Sequence, residues 1–340
     1  MNKQNPLYRE DIGRILSVPG IESLRGKTVL ITGASGLLGV LMTDALMEMG
    51  DVRIIAVGRS REKAKERLGE YYDSPMFRFL EQDVCKPFPQ DTNADYILPL
   101  ASNTHPKAYS QFPIETVWTN VKGAEHALEL AAKCGATVLY PSSVEVYGNA
   151  RGEDIFTEDY TGNLNLGNSR ACYPESKRVC EALCQSYISE RGTDVKIVRL
   201  SRVFGPSMLL SDTKASSQFI LKAMERQDIV LKSKGNQFFS YTYAADAVSA
   251  MLYVMLNGET GVPYNIAAES CNVHLKDFAE ICAKSAGRKV VYDLPDEVES
   301  KGYSVAVNAI LDNDRLKAIG WTPQYRMTDA VERTIKILCS

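Results

Sequence analysis

The amino-acid sequence predicts an α/β fold with a doubly wound parallel sheet at its core. Up to about residue 201, short runs of apolar and β-branched residues alternate with longer amphipathic stretches, as in a series of βαβ units. The short runs are apolar throughout rather than at every second position, which is typical of strands covered on both faces of a sheet. A glycine-rich segment between the first strand and the helix that follows it completes the pattern.

The predicted elements follow one another in chain order. The strands are TVLIT (28–32), VRIIAV (52–57), FRFL (77–80), DYILPLA (95–101), TVLYPSS (137–143) and VKIVRLS (195–201). The helices between them lie near 37–49, 61–72, 114–134 and 173–191. Before the first strand, residues 1–26 are expected to form a helical N-terminal extension that ends at Pro19 and Gly20.

The alternation of predicted strands and helices becomes irregular after about residue 201, where loops lengthen and apolar segments such as VPYNIA (262–267) lie between predicted helices. We therefore expect a smaller C-terminal α+β cap. The predicted boundaries are 1–26 for the extension, 27–201 with about 241–267 for the domain of the parallel sheet, and 202–240 with 268–340 for the cap.

Composition and charge exclude several classes of protein. The formal net charge of −3 gives no electrostatic basis for binding nucleic acid or an anionic membrane. The N-terminus lacks the apolar h-region of a signal peptide, and no apolar run is long enough to span a bilayer. The eight cysteines are scattered without zinc-ligand spacing, so we expect no metal site, reduced thiols and a cytoplasmic location.

The segment TVLITGASGLLG predicts a dinucleotide-binding loop. Its three glycines let the backbone approach a pyrophosphate and let the next helix pack close to the sheet. The N-terminus of that helix then offers free N–H groups and the positive end of its dipole to the phosphates. The predicted contacts from this loop are Gly33, Ser35, Gly36, Leu37, Leu38 and Gly39.

The residues after the second strand leave the choice between NAD and NADP open. The usual acid for the adenosine ribose is missing from AVGRS, which has Gly58, Arg59 and Ser60 instead. Arg59, helped by Ser60, permits pairing with a 2′-phosphate; alternatively it stacks on the adenine or lies in solvent. Asp83, followed by Val84 after the third strand, is expected either to accept a hydrogen bond from the adenine amino group or to form a turn.

The stretch ACYPESKR places Tyr173 four positions before Lys177, on one side of a helical turn. Such a pair occurs by chance on solvated helices, but it also suits proton transfer. A free tyrosine ionises near pH ~10, and a nearby ammonium together with a positive nicotinamide ring favours the phenolate. The spacing alone leaves both interpretations open: a solvated surface pair, or a Tyr173 general base whose ionisation Lys177 and a nicotinamide ring favour.

Taken together, these motifs resemble the extended short-chain dehydrogenase/reductase family of nucleotide-sugar epimerases, dehydratases and decarboxylases. The resemblance runs from about residue 27 to 325. Its further markers are LPLAS (98–102), TN-x-x-G (119–123), SSVEVYG (142–148), RVFGP (202–206), YTYAADAV (241–248), YNIA (264–267) and GW-x-P (320–323). The resemblance implies a Rossmann-like domain that binds NAD or NADP tightly, a C-terminal domain that holds a nucleotide sugar, and commonly a homodimer joined by the helices near 114–134 and 173–191.

The resemblance also implies roles for individual residues. Tyr173 takes a proton from a sugar hydroxyl, Lys177 also holds the nicotinamide ribose, and Ser143 orients the reacting oxygen. Further contacts to the dinucleotide are implied for Leu100, Ala101, Ser102 and Asn120, and contacts to the nucleotide sugar for Thr104, Ser143, Glu145, Arg202 and Phe239.

The expected reaction begins with oxidation at sugar C4, because the ketone serves epimerisation, dehydration and decarboxylation alike. Glu145 points to the same face as Ser143 and is a candidate base, while Val144 stands where 4,6-dehydratases carry an acid. The run R-x-C-Y-x-x-x-K-R resembles the UDP-glucuronate decarboxylases. We therefore expect an epimerase or decarboxylase; the alternatives are a net NADPH-dependent keto-sugar reductase, a 4,6-dehydratase and a noncatalytic dinucleotide-binding regulator.

Two departures from the family pattern concern the substrate. Arg202 stands where the family often has asparagine, and Phe239 where it often has an arginine that holds the diphosphate. Arg202 is expected to replace that anchor or to bind a substrate carboxylate. Lys214, in the loop 205–219 expected over the nucleotide sugar, is a candidate phosphate ligand, and His105 is a candidate for the sugar pocket.

Overall fold

The structure is a computed structural model that describes residues 1–104, 106–152, 154–293 and 308–340, with the backbone alone for 106–108. A large parallel sheet forms its centre. The strands of this sheet, numbered along the chain, are β1 (Thr28–Thr32), β2 (Arg53–Gly58), β3 (Phe77–Glu81), β4 (Tyr96–Pro99), β5 (Thr137–Ser143), β7 (Val195–Leu200) and β11 (Pro263–Ile266). They lie in the order β11-β7-β5-β4-β1-β2-β3, which confirms the predicted doubly wound α/β fold.

Both faces of this sheet are covered, as its apolar strands require. The covering helices are α2 (Leu37–Glu48), α5 (Pro113–Cys134), α6 (Cys172–Arg191) and α8 (Ala244–Asn257). Along β1, Val29 and Ile31 belong to the core formed with α2 and α8, whereas Leu30 belongs to the core formed with α5 and α6. The alternation of successive side chains between two helical layers explains why this strand has no polar face.

The smaller α+β part is assembled from short strands that come from distant parts of the chain. These are β6 (Ile155–Phe156), β8 (Arg202–Phe204), β10 (Phe238–Tyr243), β12 (Asn272–His274) and β14 (Asn308–Leu311). β10 pairs with β8, β12 and β14, while β9 (Ile229–Leu231) and β13 (Val290–Tyr292) form a separate parallel pair. The accompanying helices are α7 (Ala215–Met224), α9 (Leu275–Ser285), α10 (Asp314–Ala318) and α11 (Met327–Leu338).

The N-terminal extension packs into the structure. Its helix, α1 (Pro6–Ile15), ends before the predicted Pro19, and a 3₁₀ turn (Ile21–Leu24) follows. Asp11 of α1 is buried and accepts hydrogen bonds from β10 and from the C-terminal segment. The extension is therefore held by contacts with β10 and with the segment around Tyr325.

Two further helices complete the first half of the chain. α3 (Arg61–Leu68) is shorter than predicted because Gly69, a poor helix former, begins a 3₁₀ turn that runs to Tyr71. α4 (Pro106–Gln111) precedes α5. Within the described ranges, no helix is long and apolar enough to cross a membrane.

Candidate active site

The glycine loop between β1 and α2 allows close backbone approach. Gly33 has a φ of 63°, in the left-handed region, and a Cβ atom there would lie 2.8 Å from the backbone nitrogen of Ala101. A Cβ atom at Gly39 would lie 2.5 Å from the Gly33 carbonyl oxygen. The other predicted contacts of this turn and of the adjoining end of β4 are Ser35, Gly36, Leu37, Leu38 and Leu100. A helix N-terminus behind such a turn fits a pyrophosphate.

The end of β4 is tied to this loop and to the helices behind it. The Ala101 N–H donates to Thr32 Oγ1 over 3.0 Å. Ser102 Oγ donates to Asn120 Oδ1 over 2.6 Å, and Asn120 Nδ2 donates to Ser176 Oγ over 2.8 Å. These bonds connect the predicted cofactor contacts on β4 with α5 and with the helix that carries the predicted catalytic pair.

The end of β2 presents an arginine to solvent beside a carboxylate. Gly58 ends the strand, and Arg59 Nη1 lies 2.8 Å from Glu115 Oε1 in the first turn of α5, with both side chains exposed. Ser60 Oγ accepts a hydrogen bond from the Lys63 N–H over 3.3 Å and so caps α3. Because Glu115 is negative, its position opposes binding of a 2′-phosphate by Arg59.

Asp83 and Val84, after β3, form a turn that holds α5 close to the sheet. Asp83 Oδ1 accepts a hydrogen bond from the Cys85 N–H over 2.9 Å. This contact is the turn that the sequence analysis gave as one of two possibilities for Asp83. The Val84 carbonyl oxygen lies 2.8 Å from His126 Nδ1. A Cβ atom at Gly123 would lie 3.3 Å from Val84 Cγ2, so this glycine allows α5 its close approach.

Tyr173, Ser143 and Glu145 lie together where β5 ends and α6 begins. Burial raises the pKa of Tyr173 to about 12; a hydrogen bond with Ser143 acts against this rise, and the charge of Glu145 adds to it. The Glu145 N–H donates to Ser143 Oγ over 3.3 Å. The ring of Tyr109 packs on the Tyr173 ring, with 5.4 Å between the centroids. The structure thus brings the predicted phenol, hydroxyl and carboxylate to one place.

Lys177 lies one turn further along α6 and is buried. Its Nζ donates to the Pro141 carbonyl oxygen over 2.8 Å and lies 5.1 Å from the centre of the Tyr140 ring. Burial lowers the pKa of Lys177. Burial raises the pKa of Tyr173 in this structure, and the lowering expected from Lys177 together with a nicotinamide ring stays a prediction for the enzyme with its coenzyme bound.

Arg202 on β8 and Phe239 on β10 lie against each other at the edge of the smaller sheet. The guanidinium carbon of Arg202 is 3.6 Å from the centre of the Phe239 ring. β8 and β10 run parallel, and Arg202 pairs in register with Tyr241. Nη1 of Arg202 is buried and has no hydrogen-bond partner in the described part of the chain.

The remaining predicted substrate residues are less closely associated with this site. Thr104 follows β4 and is exposed. Lys214 Nζ lies 3.6 Å from Asp212 Oδ2, so the charge of this predicted phosphate ligand is already paired. His105 lies outside the described residues. The described residues also contain no group of three or more His, Cys, Asp or Glu side chains arranged to hold a metal ion.

Sequence reasoning did not find Tyr109, Tyr140 or Glu115. Tyr109 and Glu115 are far along the chain from the side chains they contact, and no local periodicity connects such pairs. Tyr140 carried a usable signal, because it lies in TVLYPSS, on the strand that ends at the predicted site residue Ser143.

The fold and these side chains define an enzyme that binds a dinucleotide at the carboxyl ends of parallel strands. The chain belongs to the NAD dependent epimerase/dehydratase family, whose sequence model matches residues 29–267. This confirms the predicted family and its NAD-dependent chemistry.

Two of the proteins with similar sequences are decarboxylases. UDP-glucuronic acid decarboxylase 6 of Arabidopsis thaliana is 29% identical over 306 residues, which cover 89% of this chain and 86% of the relative. UDP-glucuronic acid decarboxylase 1 of Danio rerio is 29% identical over 313 residues, 91% of this chain and 72% of the relative.

Solved structures show the same fold at lower identity. A UDP-glucuronic acid 4-epimerase of Bacillus cereus matches with a TM-score of 0.78 at 18% identity, covering 92% of this chain and 98% of that one. A dTDP-glucose 4,6-dehydratase of Streptomyces venezuelae matches with a TM-score of 0.78 at 21% identity, covering 91% and 96%.

Proposed function

We propose that this enzyme transiently oxidises C4 of a nucleotide sugar, and that its substrate is a UDP-hexuronate that it decarboxylates at the ketone stage. The observation that carries the proposal is the meeting of Tyr173, Ser143 and Glu145 at the end of β5, on the sheet edge that bears the dinucleotide loop. The relatives named as UDP-glucuronic acid decarboxylases support the substrate class. Oxidation at C4 turns the C6 carboxylate of a hexuronate into a β-keto acid, which loses CO2 readily.

The loop after β1 fits a dinucleotide, since glycines at 33 and 39 let the turn pack tightly against the end of β4 and against its own backbone, just before the N-terminus of α2. NAD held by this loop would supply reversible hydride acceptance at C4, which would keep the overall reaction redox-neutral. NAD is favoured over NADP because the Glu115 carboxylate lies beside Arg59. The same ion pair argues against a net NADPH-dependent reductase.

Tyr173 is proposed to take the proton of the C4 hydroxyl. With a pKa of about 12 the phenol is neutral near pH ~7, so this transfer needs positive charge nearby. The Lys177 ammonium supplies such a charge when Nζ turns away from the Pro141 carbonyl oxygen. Ser143, buried at the end of β5, orients the C4 oxygen. A noncatalytic dinucleotide-binding regulator has no need of this arrangement.

Glu145 is proposed to serve C5. Its negative charge acts on the Tyr173 phenol, which supports a position of the carboxylate beside the reacting part of the sugar. After CO2 has left, C5 needs a proton, which Glu145 is proposed to relay from solvent water. The same carboxylate favours a second candidate function, epimerisation at C5, in which it removes the C5 proton and a proton from solvent water is added on the opposite face. Val144 has no proton to donate, so 4,6-dehydration is not supported.

A homodimer is proposed across α5 and α6. Ile114 and Trp118 on α5 and Val179 on α6 are exposed apolar side chains on this pair of helices. A shallow groove beside them is lined by apolar Val117, Val121 and Leu166, among others. Two copies of such a face cover each other when related by a twofold axis. Trp118→Glu should give a monomer by light scattering, whereas Val230→Glu, at an exposed apolar position on β9, should leave the dimer intact.

The reaction is tested by mass spectrometry of nucleotide sugars incubated with the NAD-loaded enzyme in heavy water. Loss of the mass of CO2 from UDP-glucuronate, with solvent deuterium at C5, supports decarboxylation. Deuterium at C5 without loss of CO2 identifies epimerisation, and stoichiometric consumption of added NADPH identifies the reductase. If UDP-glucuronate, UDP-glucose and UDP-N-acetylglucosamine all remain unchanged, the proposal is contradicted. The cytoplasmic location and the absence of nucleic-acid partners stay predictions.

A further inference from the structure

The guanidinium of Arg202 is held in place while part of it lacks a partner. The ring of Phe239 lies 3.6 Å from its central carbon and covers one face of the planar group. Nη1 is buried, and none of the described residues accepts a hydrogen bond from it. A buried N–H of a charged group without an acceptor is costly, and the cost is offset when a ligand supplies the acceptor. The arrangement is that of a cation prepared for an anion from outside the chain.

The neighbours of this cation connect it with the proposed reacting centre. Burial raises the pKa of Tyr109, and the positive charge of Arg202 is among the groups that oppose the rise. Tyr109 packs on Tyr173, and the charge of Glu145 acts on both phenols. The field of Arg202 therefore reaches the reacting end of the site, where the C4 oxygen is bound.

We infer that Arg202 binds the C6 carboxylate of the sugar, and that the enzyme thereby selects hexuronates over neutral hexoses. In a hexuronate the carboxylate is carried by C5, next to C4, whereas the diphosphate is attached at C1 across the ring. A cation beside the C4 site therefore meets the carboxylate. A guanidinium and a carboxylate form a bidentate pair in the plane of the guanidinium. Phe239 covers only one face of the Arg202 guanidinium, so the N–H groups in its plane remain available for such a pair. The inference rests on the proposed oxidation at C4.

The test measures binding of UDP-glucuronate, UDP-glucose and UDP to the NAD-loaded enzyme by calorimetry. Arg202→Gln should weaken UDP-glucuronate by about tenfold or more, because a charge-assisted pair is lost, and should leave UDP-glucose and UDP within about twofold. Arg202→Lys keeps the positive charge but not the forked pair of N–H donors, so its affinity for UDP-glucuronate should lie between those of wild type and Arg202→Gln. Arg288→Gln, at an exposed arginine of the smaller part of the fold, is the matched control and should change none of the three affinities.

Two outcomes overturn the inference. An equal loss for all three ligands assigns Arg202 to the diphosphate, and unchanged affinity for UDP-glucuronate removes it from the site. If Arg202→Gln unfolds, the comparison of Arg202→Lys with wild type decides in the same way. The absorbance of reduced nicotinamide separates this inference from the proposed function: selective binding without any transient reduction contradicts the C4 oxidation and leaves the carboxylate contact standing.

Discussion

Arg202 and Phe239 stack on each other across neighbouring strands, with 3.6 Å between the guanidinium carbon and the ring centre. Register explains the contact: Arg202 on β8 lies opposite Tyr241 on β10, and Phe239 is two residues before Tyr241, on the same face of the strand. The resemblance predicts other residues at both positions, asparagine at 202 and arginine at 239. The structure brings the two positions together, with the Phe239 ring stacked on the Arg202 guanidinium.

Replacing the Phe239 ring should therefore change how Arg202 is held and how tightly UDP-glucuronate binds. Phe239→Leu removes the cation–π contact and frees the guanidinium to adopt other rotamers, which should weaken UDP-glucuronate binding by about two- to tenfold. Phe239→Tyr keeps a ring and should bind as wild type does. Calorimetry on the NAD-loaded enzyme measures both. Equal affinities for the leucine and tyrosine variants would mean that the stacking has no part in binding.

The raised pKa of Tyr173 predicts how the oxidation step depends on pH. Because the phenol titrates at about 12, the ionised fraction and the single-turnover rate should rise with pH through the neutral range. Glu145→Gln removes a negative charge that contributes to the rise, so the rate profile should shift toward lower pH. Stopped-flow formation of reduced nicotinamide reports this step, which does not require Glu145 as a base at C5.

Tyr173→Phe is the control for that experiment. It should lower the oxidation rate by about a hundredfold or more at every pH, since a general base is lost. A phenylalanine variant that retained the wild-type rate and its pH dependence would assign the titration to another group.

The large sheet and the glycine loop could be predicted because their signals are local. The apolar run TVLIT and the glycines that follow it act within one strand–turn–helix unit, and the structure has β1 at the predicted bounds. The spacing of Tyr173 and Lys177 is equally local, since both lie on α6. Such patterns survive in a sequence read alone because the residues that make them are neighbours in the chain.

The walls of the site could not be predicted in the same way. Arg59 and Glu115 are 56 positions apart, and their contact depends on how α5 is placed after β4. The pairing of Arg202 with Phe239 depends on the register of two short strands in a sheet gathered from separate segments. The pKa of Tyr173 depends on burial, which the motif does not encode.

The ion pair of Arg59 predicts a change in coenzyme preference. Glu115→Gln removes the carboxylate that competes with a 2′-phosphate for Arg59, so affinity for NADP should rise several-fold while affinity for NAD stays the same. The gain should be small, about two- to fivefold, because the pair is exposed. Fluorescence titration with both dinucleotides measures it. A rise for NAD and NADP alike would show that Glu115 acts on the shared diphosphate or on the fold instead.

The ring of Tyr140 predicts the protonation state of Lys177. The ammonium lies 5.1 Å from the ring centre, and burial already lowers the pKa of Lys177. Tyr140→Leu removes the cation–π contact, so the pKa of Lys177 should fall further and the loss of activity at high pH should begin at a lower pH. Tyr140→Phe keeps the ring and removes a buried hydroxyl whose neighbour, the Cys180 thiol, is only a weak acceptor. The dependence of its activity on pH should therefore match that of wild type.

The last prediction concerns the N-terminal extension. Asp11, on α1, is almost completely buried and accepts hydrogen bonds from Tyr243 over 2.5 Å, from Tyr325 over 2.6 Å and from Arg333 Nη2 over 2.7 Å. Asp11→Ala leaves the two buried phenols without an acceptor and leaves the partly buried Arg333 with only its exposed partner Glu10, and should lower the free energy of unfolding by about 3 kcal/mol. Glu10→Gln changes the exposed neighbour that also pairs with Arg333, and should cost less than about 1 kcal/mol.

Urea unfolding followed by circular dichroism compares these two variants with wild type. The difference between them separates a buried anchor from a surface ion pair on the same helix and with the same partner. Because α1 reaches β10 through Asp11, the extension should unfold together with the rest of the chain, in a single transition for all three proteins. An early transition confined to Asp11→Ala, with the main transition unmoved, would instead show that α1 is a separable addition and that the smaller sheet is stable without it.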